Sequence, residues 1–427
     1  MSTADATWLV IELPHNLMVI TAVLEFVGPV DRPRLQHMLI DELAHRYPRF
    51  GQRVVPGRWP VRRPAWQEVG ELDLDYHLQQ VEVPGSLAES LPGLVSRVLS
   101  RPLDMTRPPW QFLLVTGPAS SALIARLHHC IADGIALASV LLTLTDSEPA
   151  RTQAASPTPS PAPRPVLLQP IATALRLAAG VGVTSLQIMA SRPDPHTALR
   201  GRLAEAKGAA WTDPLELAGV KAVAAAAGGS VNDVLLAVTA GALRRTLLSA
   251  GQEPADLRVF VPVNVRRPGA PVPARLGNRF GLLLLRLPVA EADPLARVRA
   301  VSTRTRALKA GAQALATYTL LNVMGASPAP MQRWGVRLLG TKASAIVTNV
   351  PGPRQPTSLA GSTVSRLIYW VPQPGSIGIG VSIFSYAGGV TLGVAADAGL
   401  MPDPAQLTAA MVAEFDLLRG AAGVAPG

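Results

Sequence analysis

Two adjacent histidines open the run His128-His-Cys-Ile-Ala-Asp-Gly134, which fits the pattern HHxxxDG. An imidazole titrates near neutrality, so it can take a proton from a hydroxyl and return it later. The run before the pair, Ser121 to Leu127, is apolar and short enough for a strand. The run after the motif, Ile135 to Leu144, is apolar and long enough for a buried helix. A strand-to-helix junction of this kind puts an imidazole at a sheet edge, within reach of substrate. The pattern points to activation of an alcohol or amine without a metal. Adjacent histidines do not readily ligate one ion together, and no glutamate accompanies them, so no metal site is expected.

The elements around this motif suggest two α/β halves. Residues 1–147 form the first. Leu17 to Val27 reads as a strand. Asp31 is a plausible helix cap with Pro33 just inside, and Leu35, Leu39 and Leu43 recur at helical spacing. A second helix is expected from Ser90, with Pro92 in its first turn. Residues 148–165 are too proline-rich for helix or ladder and form an extended tether. Together with an apolar connecting helix they make a linker over 148–202. Within Val166 to Ala190, the charge-free part is shorter than a membrane span, so it packs on the protein or lies at a lipid surface. The second half covers 203–427. Lys221 to Gly228 and Val231 to Leu248 read as helices, and Phe280 to Val289, Ala345 to Val350 and Ile377 to Ser385 as strands. Arg258 to Val265 reads as a strand whose proline demands an edge or a bulge. The last helix starts at Asp403-Pro404 and ends at Gly420.

The 427 residues suffice for two domains, and with 4% aromatics their cores must rest on Leu, Val and Ala. The only cysteine, Cys130, excludes an internal disulfide and fits a reducing compartment. The charge of +10 is almost all arginine. It reflects either genomic composition or attraction to anionic lipid or a phosphorylated substrate. No aromatic-plus-basic cluster suggests nucleic acid. The N-terminus lacks a basic leader region. The expected location is cytoplasmic, with peripheral attachment to the inner membrane face or to lipid inclusions left open.

The histidine motif and its surroundings resemble the bacterial wax ester synthase/diacylglycerol acyltransferase family, within the wider coenzyme A-dependent acyltransferase and condensation-domain group. Trp8-Leu-Val-Ile-Glu12 and Asn16-Leu-Met18 look like the family's opening strand region. Leu72 to His77 resembles its "fDldyH" segment, and Pro102 to Trp110 its "PLD…RPLW" stretch. Val231 to Ala237, Val261 to Arg266, Leu276-Gly-Asn278, Thr348 to Pro353 and Ser385-Tyr386 follow in the family's order. Pro109 stands where the family has leucine. Gly51 stands where many relatives carry an arginine, which leaves Arg53 or Arg266 to pair with the motif aspartate. The resemblance implies two chloramphenicol-acetyltransferase-like α/β sandwich domains with the active-site tunnel at their interface. It implies an O-acyltransferase that moves an acyl group from acyl-CoA, a substrate and not a cofactor, to a long-chain alcohol or diacylglycerol. The alternatives are a different acceptor on the same fold, or a weakly active lipid-binding scaffold.

On that resemblance His129 is the general base. His128 either buttresses the loop or shares in proton transfer. Asp133 either orients His129, as in a triad, or makes a structural salt bridge, which its four-residue offset favours. Gly134 allows a tight turn. Cys130 is read as a small apolar filler, not a nucleophile. Ser230 to Asp233 has the spacing of a capping box, which accounts for Asp233 without a functional role. Asn232 either steadies the domain interface or polarises the acyl group. Trp110 is read as packing, with a channel wall as the alternative, and Thr348-Asn349 as the start of a turn.

Overall fold

The computed structural model describes residues 1–57, 64–145, 182–266, 274–311 and 313–425. The tether at 148–165 and most of the apolar segment after it lie outside these residues. The first part of the chain comprises α1 (Thr3–Ile11), β1 (Val19–Val27), α2 (Arg32–Met38), β2 (Gln52–Val55), β3 (Ala65–Glu68), α3 (Leu74–His77) and β4 (Leu78–Glu82). It continues with α4 (Leu87–Leu99), β5 (Trp110–Thr116), β6 (Ser120–His128) and α5 (Gly134–Thr143). After α6 (182–190) come β7 (Lys207–Trp211), β8 (Leu215–Glu216), α7 (Leu217–Ala227), α8 (Val231–Ser249), β9 (Leu257–Asn264) and β10 (Phe280–Leu287). Three helices follow, α9 (Pro294–Ala310), α10 (Gln313–Ala326) and α11 (Ala329–Gly340). The chain then forms β11 (Ala345–Pro351), β12 (Ser358–Leu359), β13 (Ser362–Trp370), β14 (Ile379–Tyr386), β15 (Gly389–Asp397) and α12 (Ala405–Ala421).

Local chemistry accounts for several helix starts. Asp31 accepts from Arg34 N–H, and Asp403 from Ala405 N–H. Ser230 and Asp233 exchange bonds in a complete capping box at the head of α8. Two expectations shift. The helix expected from Ser90 begins a turn earlier, after Ser86, because Leu87 joins Leu91, Leu94 and Val98 on the buried face. The block Trp8 to Glu12 is helical up to Ile11, not a strand: Ser2 caps α1 by accepting from Asp5 N–H, and Trp8 and Ile11 share its buried side.

The strands form two main sheets. The first has the order β12-β13-β1-β6-β5-β4 and the second β10-β9-β11-β14-β15-β7, with β8 on β15. The first is therefore not built from the first half alone. Late in the chain β13 crosses over and pairs antiparallel with β1, Val23 opposite Ile368 and Thr21 opposite Trp370. Ile368 and Trp370 then share one buried cluster with Val23 and Ile124 of the first sheet and Ala209 and Ala395 of the second. This exchange staples the halves together and fixes the interface at which the histidine motif sits.

The second sheet opens in its middle. β9 and β11 pair in parallel only at Val259–Ala345 and Phe260–Ile346. Beyond these residues they part, and Pro262, which has no N–H to offer, lies in the parted stretch of β9. The strand is thus internal at its start and behaves as an edge at its proline. On the outer side, β10 is a true edge covered by α10. Leu282 N–H donates to Thr317 Oγ1 and Leu284 N–H to Gln313 Oε1. Gly281 permits this approach, since a Cβ there would stand 2.0 Å from the Ala314 carbonyl oxygen.

Ile368 is fully buried on the crossover strand. Ile368→Ala is expected to cost about 2–5 kcal/mol in denaturant unfolding. A cost below about 1 kcal/mol would mean that β13 is peripheral to the first sheet.

Candidate active site

The loop between β6 and α5 carries the histidine motif, and main-chain bonds hold it on both sides. His128 N–H donates to the Pro109 carbonyl (2.9 Å) and His129 N–H to the Met18 carbonyl (2.7 Å). His128 Nδ1 accepts from Cys130 N–H at 3.1 Å, so the ring proton sits on Nε2, 3.0 Å from Glu12 Oε2. Glu12 also accepts from Met18 N–H. Burial raises its carboxyl, but the bonds from His128 and Met18 outweigh that and hold it below the ordinary value. Both ring nitrogens of His128 are thereby committed, tying the loop to Glu12 and to its own main chain.

His129 is placed differently. Its ring stacks on Trp8 (centroids 3.8 Å apart) and lies near Phe280. It lines a largely apolar cleft of about 1150 Å³, open mouth included, walled by both halves of the chain. The walls include Phe260 and Pro262 of β9, Thr348 and Asn349 of β11, and Tyr369 of β13. Burial pushes the His129 imidazole down to about 4, while the Asp133 carboxylate and the residue's own carbonyl oppose the shift. The ring is therefore neutral at physiological pH. Its Nδ1 is sealed from solvent and makes no well-formed hydrogen bond.

Asp133 does not bond to His129. It caps α5 by accepting from Ala136 N–H (3.0 Å), and its Oδ2 accepts from Arg279 N–H (2.8 Å). Arg266 grips both oxygens, with Nη1 3.1 Å from Oδ1 and Nη2 2.6 Å from Oδ2. Thus Arg266 is the partner and Arg53 is not; Arg53 binds Gln67 on the surface. An aspartate whose lone pairs are spent this way orients the loop and cannot serve a triad.

Gly134 does not have a positive φ, so no tight turn requires it. Space around it is limited, because a Cβ would meet the Val371 and Tyr369 side chains at 3.3 and 3.4 Å. Cys130 is buried as an apolar filler. Trp110 is fully buried, donates to the Phe50 carbonyl and stacks on His77, outside the cleft. Thr348 and Asn349 lie in β11, not in a turn. Asn349 Nδ2 donates to Asn232 Oδ1 at 2.9 Å. This pair adjoins a second apolar cavity, of about 1060 Å³ with its mouth, which shares Asn349 and Pro262 with the cleft. Asp233 accepts from Thr305 besides its capping bonds and is structural.

A second anchor was missed in the sequence. Asn278 Nδ2 donates both to the His129 carbonyl (2.9 Å) and to Asp5 Oδ1 (2.8 Å). Arg49 pairs with Asp5 (2.8 Å) and donates to the Ile131 carbonyl (2.5 Å). Asn278 stands in a recognisable block, and Arg49 lies two residues before Gly51, which is where an arginine was sought. Asp5, in a polar N-terminal stretch, gives no signal of its burial.

The chain is similar to known proteins in sequence and in fold. Residues 1–235 match the family profile described as the wax ester synthase/diacylglycerol acyltransferase catalytic domain, and residues 276–419 match the WS/DGAT C-terminal domain. A Mycobacterium tuberculosis protein described as a "probable diacylglycerol O-acyltransferase" is 30% identical over 95% of this chain and 93% of its own. Among solved structures, the wax ester synthase/diacylglycerol acyltransferase of Marinobacter aquaeolei VT8 superposes with a TM-score of 0.69 at 20% identity, covering 98% of each chain. The first condensation domain of the CDA synthetase gives 0.62 at 18% identity, covering 99% of this chain and 95% of that one. At these identities the structural likenesses establish the fold.

Asp133→Asn leaves Arg266 buried without its carboxylate and is expected to lower the unfolding free energy by about 3–5 kcal/mol. Arg266→Met should cost a similar amount, and the double variant clearly less than the sum in denaturant melts. Simple additivity would show that the ion pair is not what holds the loop.

Proposed function

The chain belongs to the wax ester synthase/diacylglycerol acyltransferase family, and from that membership and the cleft geometry we propose that it esterifies a lipid hydroxyl with the acyl group of a coenzyme A thioester. The acceptor class is a long-chain alcohol or diacylglycerol. One observation carries the reading: a neutral imidazole, His129, lines an apolar cleft between the two halves.

In this reaction the ring carries its proton on Nδ1, beside its own carbonyl, and Nε2 is the acceptor. Nε2 takes the hydroxyl proton as the oxygen attacks the thioester carbonyl. The tetrahedral intermediate collapses, the carbon–sulfur bond breaks, and the departing thiolate recovers the proton as free coenzyme A. Ester and thiol are the only products, and no covalent enzyme intermediate is needed. A base of low pKa accepts little charge from a resting alcohol. Proton transfer therefore accompanies C–O bond formation, when the hydroxyl has become acidic. The hydroxyls of Thr348 and Tyr369 are donors on the same cleft wall for the developing oxyanion. Burial pushes the Tyr369 phenol up, so it stays protonated. Two chains must be accommodated at once, and the cleft and the second cavity offer two apolar spaces that meet at Asn349 and Pro262.

His129→Ala should fold, as judged by circular dichroism, and lose ester formation by about 10²–10⁴-fold. Near-full turnover would reject the assignment. Because the ring is protonated only below about 4, kcat/KM should stay flat between about pH 5.5 and 8, with activity falling only as pH approaches that value. An inflection near 6.5, where a solvated imidazole titrates, would contradict a desolvated base.

A further inference from the structure

The outer faces of α10 and α11 carry exposed apolar side chains that have no partner among the described residues. Val323 (64% exposed) and Leu315 (41%) lie on one stripe of α10, and Trp334 (63%) and Met331 (58%) on one face of α11. Of the nine large apolar side chains that stand exposed among the described residues, these are four. Two more, Val183 and Leu186, lie on α6, whose Ile188 packs in one cluster with Val336 and Leu339 of α11. The inner faces of the same helices are committed. Tyr318 and Leu321 of α10 and Val336 and Leu339 of α11 line the reaction cleft.

Charge is uneven along the chain, although Arg297, Arg304 and Arg366 pair with Glu414, Asp256 and Asp213. Residues 294–396 contain ten lysines and arginines and no aspartate or glutamate. That stretch alone accounts for the chain's +10, and elsewhere the two signs balance. Arg333 and Arg337 flank Trp334 on the exposed side of α11, and their side chains make no ion pair or hydrogen bond with any described residue. An indole between unpaired arginines, beside exposed Met and Val, combines apolar burial with attraction to anionic headgroups. No single described helix is long and apolar enough to cross a membrane, so the arrangement suits lying on a surface.

We infer that the outer face of α10 and α11 seats on an anionic lipid surface, so that the helices walling the cleft are the ones touching the lipid that holds the acceptor. This rests on the esterification reading and adds where the acceptor comes from. A water-soluble protein partner would need acidic groups facing Arg333 and Arg337 and an apolar pocket for Trp334. A lipid surface supplies both at once.

The test uses the full chain with vesicles of phosphatidylcholine, with or without phosphatidylglycerol. The wild type should sediment with the anionic vesicles and not with the neutral ones. The Arg333→Gln/Arg337→Gln variant should bind anionic vesicles about thirtyfold more weakly, and Met331→Ser/Trp334→Ser at least about tenfold more weakly. Both variants should keep wild-type turnover on a water-soluble short-chain alcohol and lose turnover on diacylglycerol held in anionic vesicles. Absence of wild-type binding, or variants that bind as tightly as the wild type, would overturn the inference. So would a dimer in analytical ultracentrifugation that Met331→Ser/Trp334→Ser dissolves, since a second copy would then cover the face. Failure of the esterification reading is separate: the wild type would release no coenzyme A even with the soluble alcohol.

Discussion

The bidentate pair between Asp133 and Arg266 is the contact on which the site depends. Asp133 ends the histidine loop of the first half, and Arg266 follows β9 of the second. Both charges are largely withdrawn from water, so neither is tolerable without the other. Arg279 N–H and the first turn of α5 take up the remaining capacity of the carboxylate. The loop is therefore clamped from the opposite half, and the position of His129 becomes a property of the interface. The Asp5–Arg49–Asn278 cluster repeats the device, since Asn278 reaches from the second half to the His129 carbonyl.

This clamping has an electrostatic consequence. With Asp133 spent on Arg266, no carboxylate bonds to the His129 ring to stabilise an imidazolium. Stacking on Trp8 adds a further apolar neighbour. The neutral form dominates. The two histidines of the motif thus divide by environment: His128 meets Glu12 and a main-chain N–H, while His129 meets aromatic rings and the cleft.

The architecture supplies the space. The crossover of β13 brings Tyr369 to the cleft wall and welds the sheets together. The early parting of β9 and β11 keeps the second sheet from sealing the region between the cleft and the second cavity. Gly134 and Gly281 matter here for closeness, one letting β13 approach the motif and the other letting α10 lie on β10.

Local order was legible in the sequence because its causes are local. The strand and helix flanking HHxxxDG and the caps at Asp31 and Ser230 each follow from neighbours within a turn or two. The motif by itself pointed to a histidine at a strand-to-helix junction, and the order of the blocks carried the family. The sequence could not choose between Arg53 and Arg266, because their distances to Asp133 depend on how two sheets dock. Nor could it show that Trp8 sits in a helix against His129, that Thr348 and Asn349 border the cleft from a strand, or that β13 belongs to the other sheet. Each of these is a contact between residues more than a hundred positions apart. Such contacts are decided by burial and pairing across the whole fold, and no residue's type or near neighbours record them.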